Sequence, residues 1–105
     1  DQGSRLVVGP ENGQARPVTP LQLTLARAHE VSGTGTIFPN AQGDPVLHMH
    51  VACGREGATH TGCIRAGVQV WQIMEVVVFD LRESQGWRQS DEHLGFQLLT
   101  LKDRG

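Results

Sequence analysis

Thirteen glycines break a 105-residue chain into short stretches rich in Val, Ile, Leu and Thr, and this punctuation constrains the fold more than any other feature. Glycine is unfavourable inside a helix, while short β-branched runs bounded by turn residues read as strands. No stretch carries the apolar period of a strong amphipathic helix. Arg5 to Val8 reads as a strand and Gly9-Pro10-Glu11-Asn12-Gly13 as its turn, Asn-Gly being a strong reversal signal. Pro17 and Pro20 hold an irregular link. Leu21, Leu23 and Leu25 alternate as in a strand, yet Leu25-Ala26-Arg27-Ala28 also suits a helical turn, and both readings stand. His29 to Phe38 is strand-like, with Gly33 and Gly35 marking places where another backbone or a ligand comes close. After a loop from Pro39 to Pro45, Val46 to Cys53 is the clearest strand, Gly54 to Ala58 a turn and Thr59 to Arg65 the returning strand. Val68 to Leu81 is expected to be a long extended run, Arg82 to Glu92 a polar loop, and Leu94 to Leu101 the closing strand.

Composition narrows the class of protein. Hydrophobic residues make up 38% and charged residues 19%, a globular balance rather than that of a disordered chain. The formal charge is -2 and the basic residues are scattered singly, so there is no Lys/Arg patch to neutralise phosphates and direct nucleic-acid binding is not expected. The longest apolar run, around Val76-Val77-Val78-Phe79, is far short of the about 20 residues that cross a bilayer, so no membrane is expected. Two cysteines do not make the disulfide framework of a small secreted scaffold, and a reducing cytoplasm is the expected location.

The chemistry concentrates in the strand from Val46 to Cys53. Successive side chains point to opposite faces, so Leu47, Met49, Val51 and Cys53 share an apolar face while His48, His50 and Ala52 share the other. Two adjacent imidazoles on one face are a bidentate start for a metal site. A two-residue turn at Glu56-Gly57 would pair Arg55 with Ala58, Cys53 with His60, His50 with Cys63 and His48 with Arg65. Directly opposite residues have Cβ atoms about 5 Å apart and diagonal ones roughly 7 to 8 Å, so His48, His50 and Cys63 can converge on one ion. A slip of one residue would instead send Cys63 to the apolar face. The competing reading of the two histidines is a plain polar face on a half-buried strand.

The same register separates Cys53 from Cys63, so a disulfide between them is not expected, and it sets His60 opposite Cys53, where a hydrogen-bonded histidine near a turn is the preferred reading over a ligand role. His29 and His93 lie in other segments. Arg65, opposite His48, is placed to hold an anionic ligand beside a metal, whereas Arg55 and Glu56 read as solvated charge. Trp71, Ile73, Met74 and the Val76 to Phe79 run read as core or subunit interface.

Leu47-His48-Met49-His50-Val51, Gly54-Arg55 and Thr61-Gly62-Cys63, preceded by His29-Glu30-Val31 and Gly35-Thr36-Ile37-Phe38-Pro39, together resemble the plants-and-prokaryotes-conserved (PPC) domain family. The resemblance runs from about Arg5 to Leu101, with its specific part between His29 and Val78. In many members the paired histidines are followed, after the turn, by Gly-Gly-His, whose His falls on Cys63. This sequence departs there, with Thr61 for the first Gly and Cys63 for the His. Cysteine still ligates zinc, so the change alters the site's character without abolishing it. The resemblance implies an α/β (α+β) fold, a mostly antiparallel sheet packed with few helices, in a single domain over residues 1–105 that assembles as a homotrimer. It also implies a helix and strand ahead of the segment matching Arg5 to Val8, so an upstream piece is expected to be missing. Free-standing prokaryotic members are the more similar ones, since nothing here resembles the Arg-Gly-Arg-Pro hook of plant members.

The sequence thus leads to a homotrimeric metal-binding domain holding zinc, or another divalent transition metal, on His48, His50 and Cys63, with a small anionic ligand or a protein as partner. One alternative is a zinc-dependent hydrolase, with Glu30 or Glu56 as the nearest general base. Another, by family analogy alone, is a DNA-associated regulator.

Overall fold

The segment richest in alternating apolar and polar residues, from Pro45 to Arg55, forms the longest strand among the described residues. In a computed structural model describing residues 3–65 and 67–101, the chain forms seven strands and, among the described residues, no helix. In chain order they are β1 (Arg5–Pro10), β2 (Pro20–Thr24), β3 (Glu30–Pro39), β4 (Pro45–Arg55), β5 (Ala58–Ile64), β6 (Gly86–Asp91) and β7 (Phe96–Leu101). The first five make an antiparallel sheet in the order β2-β1-β5-β4-β3, and β6 pairs with β7 in a separate hairpin. The antiparallel, sheet-dominated architecture expected from the sequence is present, and the open choice at Leu21 falls to a strand.

β3 and β4 pair along ten positions, from Glu30 opposite Gly54 to Pro39 opposite Pro45. Gly33 and Gly35 make this possible on the apolar face. A Cβ on Gly33 would lie 2.6 Å from the His50 carbonyl oxygen and 2.7 Å from Val51 Cγ1, and one on Gly35 2.8 Å from Met49 Cβ. The close approach expected at both glycines is therefore that of β4, and it sets β4 firmly in place.

The core gathers Leu6 of β1, Leu25, and Val51 and Cys53 of β4, flanked by half-buried Val8, Leu23, Met49 and Ile64. It sits toward the turn end of the β4–β5 hairpin. Leu47, expected on this face, is 57% exposed instead. The pairing of β4 with β5 stops at His50 and Cys63, so the start of β4 extends past the part of the sheet that the core covers.

Two further expectations are corrected. Residues 68–81 form no strand: among the described residues no segment pairs with them to supply the backbone partners of a strand. Val70, Trp71, Ile73, Met74, Val76, Val77, Val78, Phe79 and Leu81 are all exposed, so they are not core. The stretch from Arg82 to Glu92 is no simple loop, because β6 begins at Gly86. Asp91 closes the β6–β7 turn, its Oδ1 accepting from Leu94 N at 2.9 Å and its carbonyl from Gly95 N at 2.8 Å. The hairpin docks on the end of β3 through a backbone bridge between Asn40 and Arg88 and through Gly86 packed against the buried Phe38 ring.

Candidate metal centre

The turn between β4 and β5 decides which side chains meet. Glu56 and Gly57 occupy the left-handed region at φ 53° and 80°, the two-residue turn whose twist matches the flanking strands. Arg55 consequently pairs with Ala58, Cys53 with His60 and His50 with Cys63, the register the sequence implied. Opposite residues share a face, and His48 lies two positions from His50, so both imidazoles and the Cys63 thiol stand on one side of the sheet. Thr34 and Thr36 of β3, opposite His50 and His48, share that side.

His48 Nε2 and His50 Nε2 lie 3.0 Å apart, with ring centroids 5.0 Å apart and planes tilted by 45°. One imidazole donates to the other across that contact. The candidate donor atoms of His48, His50 and Cys63 all lie within 4.8 Å of one another. Tetrahedral zinc, with bonds of about 2.0–2.1 Å to nitrogen and about 2.3 Å to sulfur, sets its donors roughly 3.3–3.6 Å apart. The side chains therefore fit an ion with small adjustments of rotamer, and two imidazoles with a thiolate are a donor set suited to zinc. Cys63 is buried, His48 half-buried and His50 exposed, so the group opens to solvent at His50.

Two guanidinium groups flank the donors. Arg65, just past β5, donates from Nη1 to Cys63 Sγ at 2.8 Å and to the Ile64 carbonyl at 3.0 Å. Arg88 of β6 is 93% buried by its 7% exposure, and its Nη2 donates to Thr36 Oγ1 at 2.9 Å. His48 is held below the usual imidazole range by burial first, then by the charges of Arg88, His50 and Arg65. Each of these effects disfavours the charged imidazolium and so favours the neutral form, which is the one that binds a metal.

The other candidates lie elsewhere. Cys53 and Cys63 are both free thiols, and burial pushes the Cys53 thiol up on the opposite face. His60, opposite Cys53, is exposed, and His93 is exposed in the β6–β7 turn. His29 Nδ1 contacts the Arg27 carbonyl oxygen at 3.1 Å. Glu30 pairs with Gly54, four positions along β4 from His50, or about 13 Å at the rise of a strand. Glu56 is engaged by Arg55 at 3.0 Å. Both carboxylates line a shallow depression with His29, Arg55 and Trp71 at the turn end of the hairpin, away from the donor group. Arg55 itself is anchored, donating to the Ala28 carbonyl at 2.9 Å.

Arg88 is the functional residue that the sequence does not mark, because its polar segment reads as a loop. The available signal was the Asp91 to Gly95 turn followed by the alternating Phe96 to Leu101, which implies a partner strand ahead of it. A family model described as Plants and Prokaryotes Conserved (PCC) domain matches residues 3–82, which includes all three donors and ends before Arg88. Neither a curated protein nor a solved structure matches the chain.

Proposed function

This chain belongs to the Plants and Prokaryotes Conserved domain family, and from that premise we propose that it is a zinc-binding domain that assembles as a homotrimer. The observation that carries the metal reading is the convergence of one ring nitrogen each of His48 and His50 with Cys63 Sγ within 4.8 Å, from two strands locked in register. The three residues would hold the ion and leave a fourth position open to a small anionic ligand. Zinc would supply Lewis acidity there. A hydrolytic role has less support, since Glu30 and Glu56 both lie toward the far end of the hairpin. Nothing favours a DNA-associated role, because the basic residues near the donors are two arginines turned to sulfur and to a threonine.

Assembly is supported by the apolar surface that one chain leaves uncovered. Ile73, Val77, Val78 and Phe79 are each at least 80% exposed. The Cα radius of gyration is 15.6 Å, against about 13 Å for a compact chain of this length. A second and third copy would bury that segment and supply its backbone with strand partners.

Metal analysis of protein purified without a histidine tag tests the first half. About one zinc per chain is expected in the wild type, and none in a His48→Ala/His50→Ala double variant. Wild-type protein that takes up no zinc would end the reading. Light scattering tests the second half: a trimer mass is expected, and a monomer at micromolar concentration would remove the assembly.

A further inference from the structure

Arg88 is a charge without a counter-charge among the described residues. It is 93% buried by its 7% exposure, and its Nε is sealed from solvent with no hydrogen-bond acceptor. The ion pairs among the described residues are Arg55 with Glu56 and Arg82 with Asp80, so neither Arg88 nor Arg65 meets a carboxylate there. A buried guanidinium left this way is costly, and a buried N–H without an acceptor adds to that cost.

Its position is equally specific. The Arg88 Nη2 bond to Thr36 Oγ1 lays the guanidinium over the side chain directly opposite His48, on the face that carries the three donors. Arg65 approaches the same face through Cys63 Sγ.

We propose that Arg88, assisted by Arg65, makes the His48–His50–Cys63 face a binding site for a small carboxylate held beside the metal ion. The inference rests on the metal reading above and specifies its ligand. A divalent ion on two neutral imidazoles and one thiolate keeps a net positive charge, and two guanidinium groups beside it add to the excess. An anion is required to balance them. Among anions a carboxylate matches the planar guanidinium fork and supplies the counter-charge that Arg88 lacks among the described residues. It is also an oxygen ligand of zinc. Phosphate brings more oxygens than this face can satisfy, where Thr36 and Thr34 are the hydroxyls set opposite the histidines. Entry is past His50, the exposed member of the group.

Cobalt(II) substituted for zinc gives visible bands that report the ion's ligands, so Co²⁺-loaded protein titrated with acetate tests the site, with chloride as the ionic-strength control. Saturable band shifts with acetate are expected in the wild type. Arg88→Gln is expected to weaken acetate binding roughly tenfold or more, the loss of one charge-assisted bond, while Co²⁺ uptake per chain is unchanged. Arg65→Gln, at an exposed position that leaves the fold intact, is expected to weaken it by a smaller factor. Absence of an acetate response in Co²⁺-loaded wild type would overturn the inference and leave the metal reading standing. Tighter binding of inorganic phosphate than of acetate would overturn the carboxylate assignment, as would equal acetate affinity in a folded Arg88→Gln variant. Failure of the wild type to take up Co²⁺ or Zn²⁺ would remove both readings together.

Discussion

The β4–β5 hairpin and the segment from Val68 to Leu81 are both rich in β-branched and apolar residues, yet one is the ordered centre of the sheet and the other forms no strand. The hairpin alternates: Val51 and Cys53 go to the core while His48 and His50 go to the opposite face. Its partner is a few residues away, joined by a turn whose conformation matches the strand twist. The second segment has no sequence neighbour able to pair with it and holds Ile73 87% exposed. Apolar content thus marks what must be covered, and only a partner strand decides what covers it.

The sharpest way to break this contrast is at the core. Leu6→Ala, at a fully buried position, is expected to cost about 2–5 kcal/mol in urea unfolding, because the cavity sits where β1, β2 and β4 meet. A cost under about 1 kcal/mol would mean that the core collapses around the gap and is less specified than its burial indicates. Gly35→Ala comes next, at about 1–3 kcal/mol, because its Cβ would lie 2.8 Å from Met49 Cβ and 2.9 Å from the His48 carbonyl oxygen. The same substitution is expected to lower zinc affinity by moving His48, which isothermal titration of the folded variant would read.

Gly57→Ala probes the turn and is expected to cost about 1 kcal/mol for an alanine at φ 80°. Acid supplies a subtler test. The unfolded His48 takes a proton near its ordinary value of 6.5, the folded one only at lower pH. As pH falls from about 6.5 the unfolded chain therefore binds more protons, and the metal-free protein loses stability that His48 contributed at higher pH. His48→Gln is expected to flatten the pH dependence of the urea midpoint in that window, and an unchanged slope would show that His48 titrates alike in both states. Ile73→Ala, at the exposed end of the comparison, is expected to change chain stability by less than about 0.5 kcal/mol while weakening self-association in sedimentation.

Much of the hairpin was legible because its signals are local. Alternation assigned the faces of β4, Glu56-Gly57 assigned the turn, and together they placed Cys63 opposite His50. Gly33 and Gly35 likewise marked a close approach in advance, although only the structure identified β4 as what approaches. The exposure of Leu47 was not legible, since its face is apolar by pattern but uncovered in the sheet. The strand β6 was hidden by its polar residues, Arg88 among them, which made it look like a loop.

Sequence alone determined the pairs that short connections enforce: the two imidazoles by strand period and the thiol by a two-residue turn, neither of which depends on distant parts of the chain. The tertiary structure decided the contacts of long range. It carried Arg88, 52 residues from Thr36, onto the donor face and buried it there. It also left the apolar run at Val76 to Phe79 exposed. The reason is that strand period and turn geometry are fixed by neighbouring backbone angles, whereas docking of one hairpin on another depends on which surfaces remain free after the local pairs have formed.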